Sequence, residues 1–171
     1  RGGFETTGFE VDPEKVKDIA AGVSYIPDIP SGEVAALAGK GFLKATLDFS
    51  KLKNQDAVII CVPTPLRKSK DPDVSYIVSA TREVLKTLRK GQLIILESTT
   101  YPGTTDEVIL PLLEKSGLSA GRDFYLAFSP ERIDPGNEKY PFKKIPKVVG
   151  GISKEATDLV KTLYEKVIVS V

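Results

Sequence analysis

Gln92-Leu-Ile-Ile-Leu-Glu-Ser-Thr-Thr-Tyr-Pro-Gly103 is the stretch that decides the fold. Leu93 to Leu96 is a short apolar run rich in branched residues, with Gly91 before it and polar residues after it. Such a run suits a central strand buried on both faces, as in a parallel sheet. Ser98, Thr99 and Thr100 follow at its carboxyl end, and Pro102 and Gly103 break the strand. A helix is predicted from Thr105 to Lys115, with Val108, Ile109, Leu112 and Leu113 inward and Pro111 bending it or weakening it. In open α/β sheets, ligands bind outside the carboxyl ends of the strands. The three hydroxyls therefore have two readings: they contact a ligand or a water, or they only cap the helix.

Working outward, Asp56 to Val62 reads as a second buried strand, stopped at once by Pro63-Thr64-Pro65. Thr64, between two prolines, either braces a ligand or simply begins a stiff loop. Phe124 to Phe128 is a third strand, running into Ser129-Pro-Glu-Arg-Ile-Asp-Pro-Gly-Asn137. There Glu131 and Arg132 offer an acid/base group and an anion clamp, or else a structural ion pair. Ile145 to Gly151 reads as a short strand and turn. Ser153 then caps a helix with Ala156, Leu159, Val160 and Leu163 inward, and Val167 to Val171 is a last strand.

On the amino-terminal side, Thr6 to Val11 is a strand, Asp12 an N-cap and Pro13 a first helical residue. Val16, Ile19 and Ala20 mark one helix face, and Gly22 stops it. Ser31 to Ala38 is a short helix, Leu43 to Leu47 a strand, and Val74 to Leu88 a helix. Strand and helix alternate with polar turns at the strand ends, which predicts an α/β fold: a doubly wound, mainly parallel sheet of Rossmann type in one domain. An acid at the end of the second strand of such a unit grips the adenosine ribose of a dinucleotide. Glu10 or Asp12 could fill that place, Asp12 being the better cap and Glu10 alternatively a solvated strand end. The glycine-rich phosphate loop belongs about 20 residues before that acid. No such loop precedes Glu10 or replaces it elsewhere, so the expected fold is truncated at its N-terminal end.

Composition narrows the function. Of the 171 residues, 41% are hydrophobic and 27% charged, with a net charge of +1, which signals neither disorder nor a nucleic-acid-binding surface. No apolar run has the length of a membrane span, and no signal-peptide pattern opens the chain. The charged loop Arg67 to Asp73 reads as solvated, with phosphate contact as its other option. The count of no histidines excludes His-based triads and His metal sites within the chain, and no metal site is expected. The single cysteine, Cys61, lies in the apolar strand with no evident base beside it, so it is expected to be a small core residue. It also fits a reducing, cytoplasmic setting. The absence of methionine is expected of a piece of a longer protein.

Cys61-Val-Pro-Thr-Pro65, Glu97-Ser-Thr-Thr-Tyr-Pro-Gly103, Ser129-Pro-Glu-Arg-Ile-Asp-Pro-Gly-Asn137 and Ile145-Pro-Lys-Val-Val-Gly-Gly151 together resemble the UDP-glucose/GDP-mannose dehydrogenase family. They occur in the family's order over nearly the whole chain, and their variants are most similar to the bacterial UDP-N-acetylglucosamine 6-dehydrogenase branch. The resemblance implies that residues 1–171 are an incomplete NAD-binding domain. It also implies oxidation of the C6 hydroxymethyl of a UDP-sugar to a carboxylate in two NAD-dependent steps, with UDP-glucose or GDP-mannose as other candidate substrates. A non-catalytic nucleotide-binding module is the alternative. The implied roles are ribose binding for Glu10, with Lys15 near that end of NAD, and a cofactor-side turn at Val62, Pro63 and Thr64. Thr99 and Thr100 form the hydroxyl pair, Thr100 orienting water at the reacting carbon. Glu131 serves in general-base and water activation, with Arg132 and Ile133 on the substrate side. The family's catalytic cysteine, lysine and asparagine lie in later segments, and Cys61 matches none of them. The resemblance further implies a homo-oligomer for the full-length protein.

Overall fold

The computed structural model describes residues 2–66, 72–131 and 145–171. They fall into two compact units, the first reaching to Phe49 and the second starting at Ser50.

The first unit pairs strand β1 (Thr6–Phe9) with β2 (Leu43–Thr46) in parallel, Thr6 opposite Leu43 and Phe9 opposite Thr46. Between them come α1 (Pro13–Ala20) and α2 (Ser31–Gly39). Helix α1 begins as the sequence dictates. Asp12 stands at the N-cap and its carboxylate accepts from the Glu14 N–H at 2.9 Å, with Pro13 in the first turn, where a missing N–H costs nothing. Gly22 ends the segment at φ +72°, and a Cβ there would fall 2.7 Å from Ala35 Cβ. Glycine is thus required both for the left-handed turn and for the approach of α2.

The second unit is a four-stranded sheet in the order β3 (Ala57–Ile60), β4 (Leu93–Leu96), β5 (Tyr125–Phe128), β6 (Gly150–Gly151). Strands β3, β4 and β5 are parallel and in step, with Ile60 opposite Leu96 and Leu96 opposite Phe128. Strand β6 is antiparallel to β5. All four residues of β4 are buried, as the opening stretch predicts for a central strand. Leu93 and Ile95 meet Ala127 and helix α5 (Lys154–Tyr164) through Val160 and Tyr164. By the two-residue alternation of a strand, Ile94 and Leu96 face the opposite side. Helix α3 (Ser75–Leu85) packs against β3 and against the segment that follows β4. Ser153 caps α5 as expected, its hydroxyl accepting from the Ala156 N–H at 3.2 Å.

Five expectations are corrected. Strand β3 is not buried throughout: Ile59 is 42% exposed, because β3 is the sheet's edge and one of its faces is open. Cys61, one residue beyond its end, is exposed rather than part of the core. The segment 105–115 is not one α-helix but a π-helical turn (Thr104–Ile109), then α4 (Leu110–Leu113), then a 3-10 turn (Glu114–Ser116). Pro111 is the physical reason, since it has no N–H to donate into the preceding turn. The Leu110 N–H bonds instead to the Thr105 carbonyl, five residues back. Residues Val167 to Val171 form no strand, and Leu159 of α5 is 41% exposed rather than inward.

Candidate active site

In the second unit, the in-step register brings the ends of β3, β4 and β5 to one edge of the sheet. Three turns leave from that edge, carrying Thr64, Thr100 and Glu131. Ser98, the first hydroxyl after β4, is buried and donates to the Val62 carbonyl at 2.8 Å. It therefore ties the β4 turn to the Val62-Pro63-Thr64 turn and is not available to a ligand. Thr99 is exposed and Thr100 half-buried. None of the three caps the following helix, whose N-cap is Gly103 at φ +89° with no side-chain hydrogen bond.

Thr100 has a defined polarity. Its hydroxyl lies 2.6 Å from that of Thr104, and Thr104 also donates to the Tyr101 carbonyl at 2.8 Å. Thr104 has one proton and spends it on that carbonyl, so it accepts from Thr100. The Thr100 hydroxyl proton thus points inward, and its lone pairs are left for a donor such as water. Thr104, which is 1% exposed, is a support that sequence reading missed. The signal was its place one residue after a left-handed glycine.

Beneath the turns lies a buried polar cluster. Glu97, directly after β4, pairs with Lys147 through Oε1 and accepts from the Tyr164 hydroxyl through Oε2 at 2.7 Å. The Lys147 ammonium also sits 4.9 Å from the centre of the Tyr164 ring. The Tyr164 hydroxyl is held well above the ordinary phenol range, first by burial and then by its hydrogen bond to Glu97. The negative charge of Glu97 adds to the shift. Glu131 itself is exposed. Arg132 and Ile133 lie outside the described residues. A cleft of about 580 Å³ is lined by Gly103, Thr105, Asp106, Phe128, Gly150 and Ile152, among others.

In the first unit, Glu10 follows β1 directly. Its Oε1 accepts from the Val11 N–H at 2.8 Å and from the Asp12 N–H at 3.3 Å, while Oε2 meets Lys15 Nζ at 3.4 Å. The carboxylate is oriented by its own backbone and flanked by a cation, which also lies 5.6 Å from the centre of the Tyr25 ring. Asp12 is occupied as the cap of α1.

Comparison with known proteins decides the family. Residues 1–168 match the model of the UDP-glucose/GDP-mannose dehydrogenase family, NAD binding domain. The chain belongs to that family. The UDP-N-acetyl-D-glucosamine 6-dehydrogenase of Pseudomonas aeruginosa is 35% identical over 94% of this chain and 38% of its own length. The solved UDP-D-ManNAc dehydrogenase of Pyrococcus horikoshii superposes with a TM-score of 0.91 at 36% identity, covering 99% of this chain and 40% of that one. A ternary complex of GDP-mannose dehydrogenase from Pseudomonas aeruginosa superposes with a TM-score of 0.88 at 31% identity, covering 96% and 39%. This chain therefore spans about two fifths of the length of such relatives. It is a Rossmann-like domain of an NAD-dependent sugar-nucleotide dehydrogenase family, and NAD is the cofactor of the domain. Among the described residues no helix is long and apolar enough to cross a membrane.

Proposed function

We propose that this chain is the cofactor-binding part of a nucleotide-sugar 6-dehydrogenase acting in the cytoplasm on a UDP-N-acetyl-hexosamine. The observation that carries the reading is the shared register of β3, β4 and β5, whose end turns hold Thr64, Thr100 and Glu131 on one edge of the sheet. The relatives named above act on different sugars by their names, so the UDP-sugar assignment rests on the Ser-Thr-Thr-Tyr-Pro-Gly and Ser-Pro-Glu-Arg sequences.

The residues fit NAD at its adenosine end, where an oriented Glu10 carboxylate would hold the ribose beside Lys15. When bound, NAD supplies a hydride acceptor, and the protein's task is to place and deprotonate the alcohol. In this reading the Val62-Pro63-Thr64 turn braces the cofactor side, and Thr99 stands exposed beside it. Thr100, its proton turned to Thr104, accepts from a water and fixes where that water's oxygen lies. Glu131 takes the proton from the hydroxyl on the reacting carbon, with Arg132 and Ile133 on the sugar side. No histidine in the chain competes for that role.

The test is NADH formation by the complete protein with UDP-N-acetylglucosamine, UDP-N-acetylmannosamine, UDP-glucose and GDP-mannose offered separately. A UDP-N-acetyl sugar is expected to give the highest kcat/KM, with two NADH formed per uronate. No NADH from any of the four rejects the reading and favours a non-catalytic nucleotide-binding module. Residues 1–171 alone are expected to bind NAD weakly or not at all and to turn nothing over. Calorimetry on that piece measures the binding directly.

A further inference from the structure

The Glu97–Lys147–Tyr164 cluster has no part in the chemistry proposed above, yet it is costly to build. The Lys147 side chain is 5% exposed and that of Glu97 14%, so both charges have been taken out of water. A buried ion pair gives little net stability over apolar side chains of the same volume. What it does give is orientation, because two charged groups and a phenol hydroxyl are satisfied in one arrangement only.

The cluster sits where orientation matters. Glu97 is the residue from which the Ser98-Thr99-Thr100 turn departs. Lys147 is followed by Val148, whose carbonyl accepts from the Ser129 hydroxyl at 3.0 Å. Ser129 is fully buried, its N–H bonds to the Leu96 carbonyl at 2.9 Å, and it precedes Glu131 by two residues. One end of the ion pair thus belongs to the Thr100 turn and the other to the segment that tethers the Glu131 turn. The Lys147 backbone is itself fastened, its N–H donating to the Ser170 carbonyl at 3.0 Å.

We propose that Lys147 is a positioning residue which, through Glu97 on one side and the Val148–Ser129 hydrogen bond on the other, holds the Thr100 and Glu131 turns at their working separation. The inference rests on the function proposed above. Lys147 is buried against Glu97 and Tyr164, and it acts on the placement of the groups to which the function above gives the chemistry.

The experiment uses the complete protein with its best nucleotide sugar. The double variant Glu97→Gln, Lys147→Met removes both charges and keeps the bulk, so no charge is left buried alone. Its melting temperature is expected to stay near that of the wild type, with KM for both substrates within about threefold and kcat lower by about tenfold or more. A purely structural pair predicts the opposite: once the fold is stable, kcat returns. Ser129→Ala is the second arm, independent of the charges and decisive if the double variant does not fold. It cuts the Val148 tether, and it is expected to lower kcat about tenfold with a melting temperature lower by only about 2 to 4 °C. Wild-type kcat in either folded variant overturns the proposal. Failure of the underlying function looks different, because wild-type protein then forms no NADH or Glu131→Gln leaves kcat untouched.

Discussion

Replacing Gln92 by leucine tests whether the edge of the second unit is held as described. Gln92 is 1% exposed, and its amide spans three partners. The NH₂ donates to the Leu52 carbonyl at 3.0 Å and to the Gln55 carbonyl at 2.7 Å, while the amide oxygen accepts from the Arg89 N–H at 2.9 Å. The Gln55 carbonyl keeps a second donor in Arg89 Nη2 at 3.2 Å and the Leu52 carbonyl keeps the Gln55 N–H at 3.1 Å, so leucine orphans one group, the Arg89 N–H. At about 1–3 kcal/mol for an unsatisfied buried group, the cost is about 2 kcal/mol. For a chain of this size that lowers the melting temperature by about 4 to 8 °C. Gln92→Glu sharpens the test, since a carboxylate can still accept from Arg89 but faces two carbonyls. The ionised form is disfavoured in the fold, which raises the folded pKa of the introduced glutamate. Its penalty relative to glutamine is therefore small below the unfolded value of about 4.3 and grows as pH rises through the folded one. Melting curves of the three proteins at acid and neutral pH are the assay. A Gln92→Leu protein within about 2 °C of the parent, or a Gln92→Glu protein with no added pH dependence, refutes the reasoning.

Asp123 titrates in the other direction. Its buried carboxylate accepts first from the Ser119 N–H and then from Arg122 and Lys90, which hold its pKa well below the carboxylate range. Its stabilisation is complete above the unfolded value of about 3.9 and is lost as pH falls through the folded one. Asp123→Asn is thus expected to melt lower at neutral pH, with the gap closing in acid, and a constant gap in melting scans contradicts this. Gly151→Ala puts a Cβ 2.4 Å from the Thr157 nitrogen and 2.7 Å from the Ala156 carbonyl carbon, both backbone atoms that cannot step aside. It is expected to cost about 1–3 kcal/mol, and denaturant unfolding with an unmoved midpoint refutes it. Cys61, exposed at the end of β3, is expected to react with an aromatic disulfide reagent in native buffer. A thiol that reacts only after denaturation restores its place in the core.

What the sequence made legible was local. The Leu93–Leu96 run and the Asp12 and Ser153 caps depend on neighbours a few residues away, and each stands where its residue types require. The register of three such strands then carries Thr64, Thr100 and Glu131 to one edge without further information. The remainder depends on partners far along the chain. Lys147 finds Glu97 at a separation of 50 residues, and Tyr164 finds it at 67, distances at which no periodicity speaks. Ile59 and Cys61 were misread because an apolar run looks the same in the middle of a sheet and at its edge.

The widened turn ahead of Pro111 has an evolutionary consequence. Five residues of ordinary α-helix advance about 500°, which would leave Thr104 and Ile109 on different sides. Here both are buried, at 1% and 0% exposure. The surplus residue in that turn is thus a spacer that lets a polar anchor and an apolar one share a single inner side. Shortening the segment by one codon would regularise the backbone, yet swing the Thr104 hydroxyl away from its neighbour. Lineages that keep Thr100 at work should therefore tolerate substitution in this turn far better than deletion.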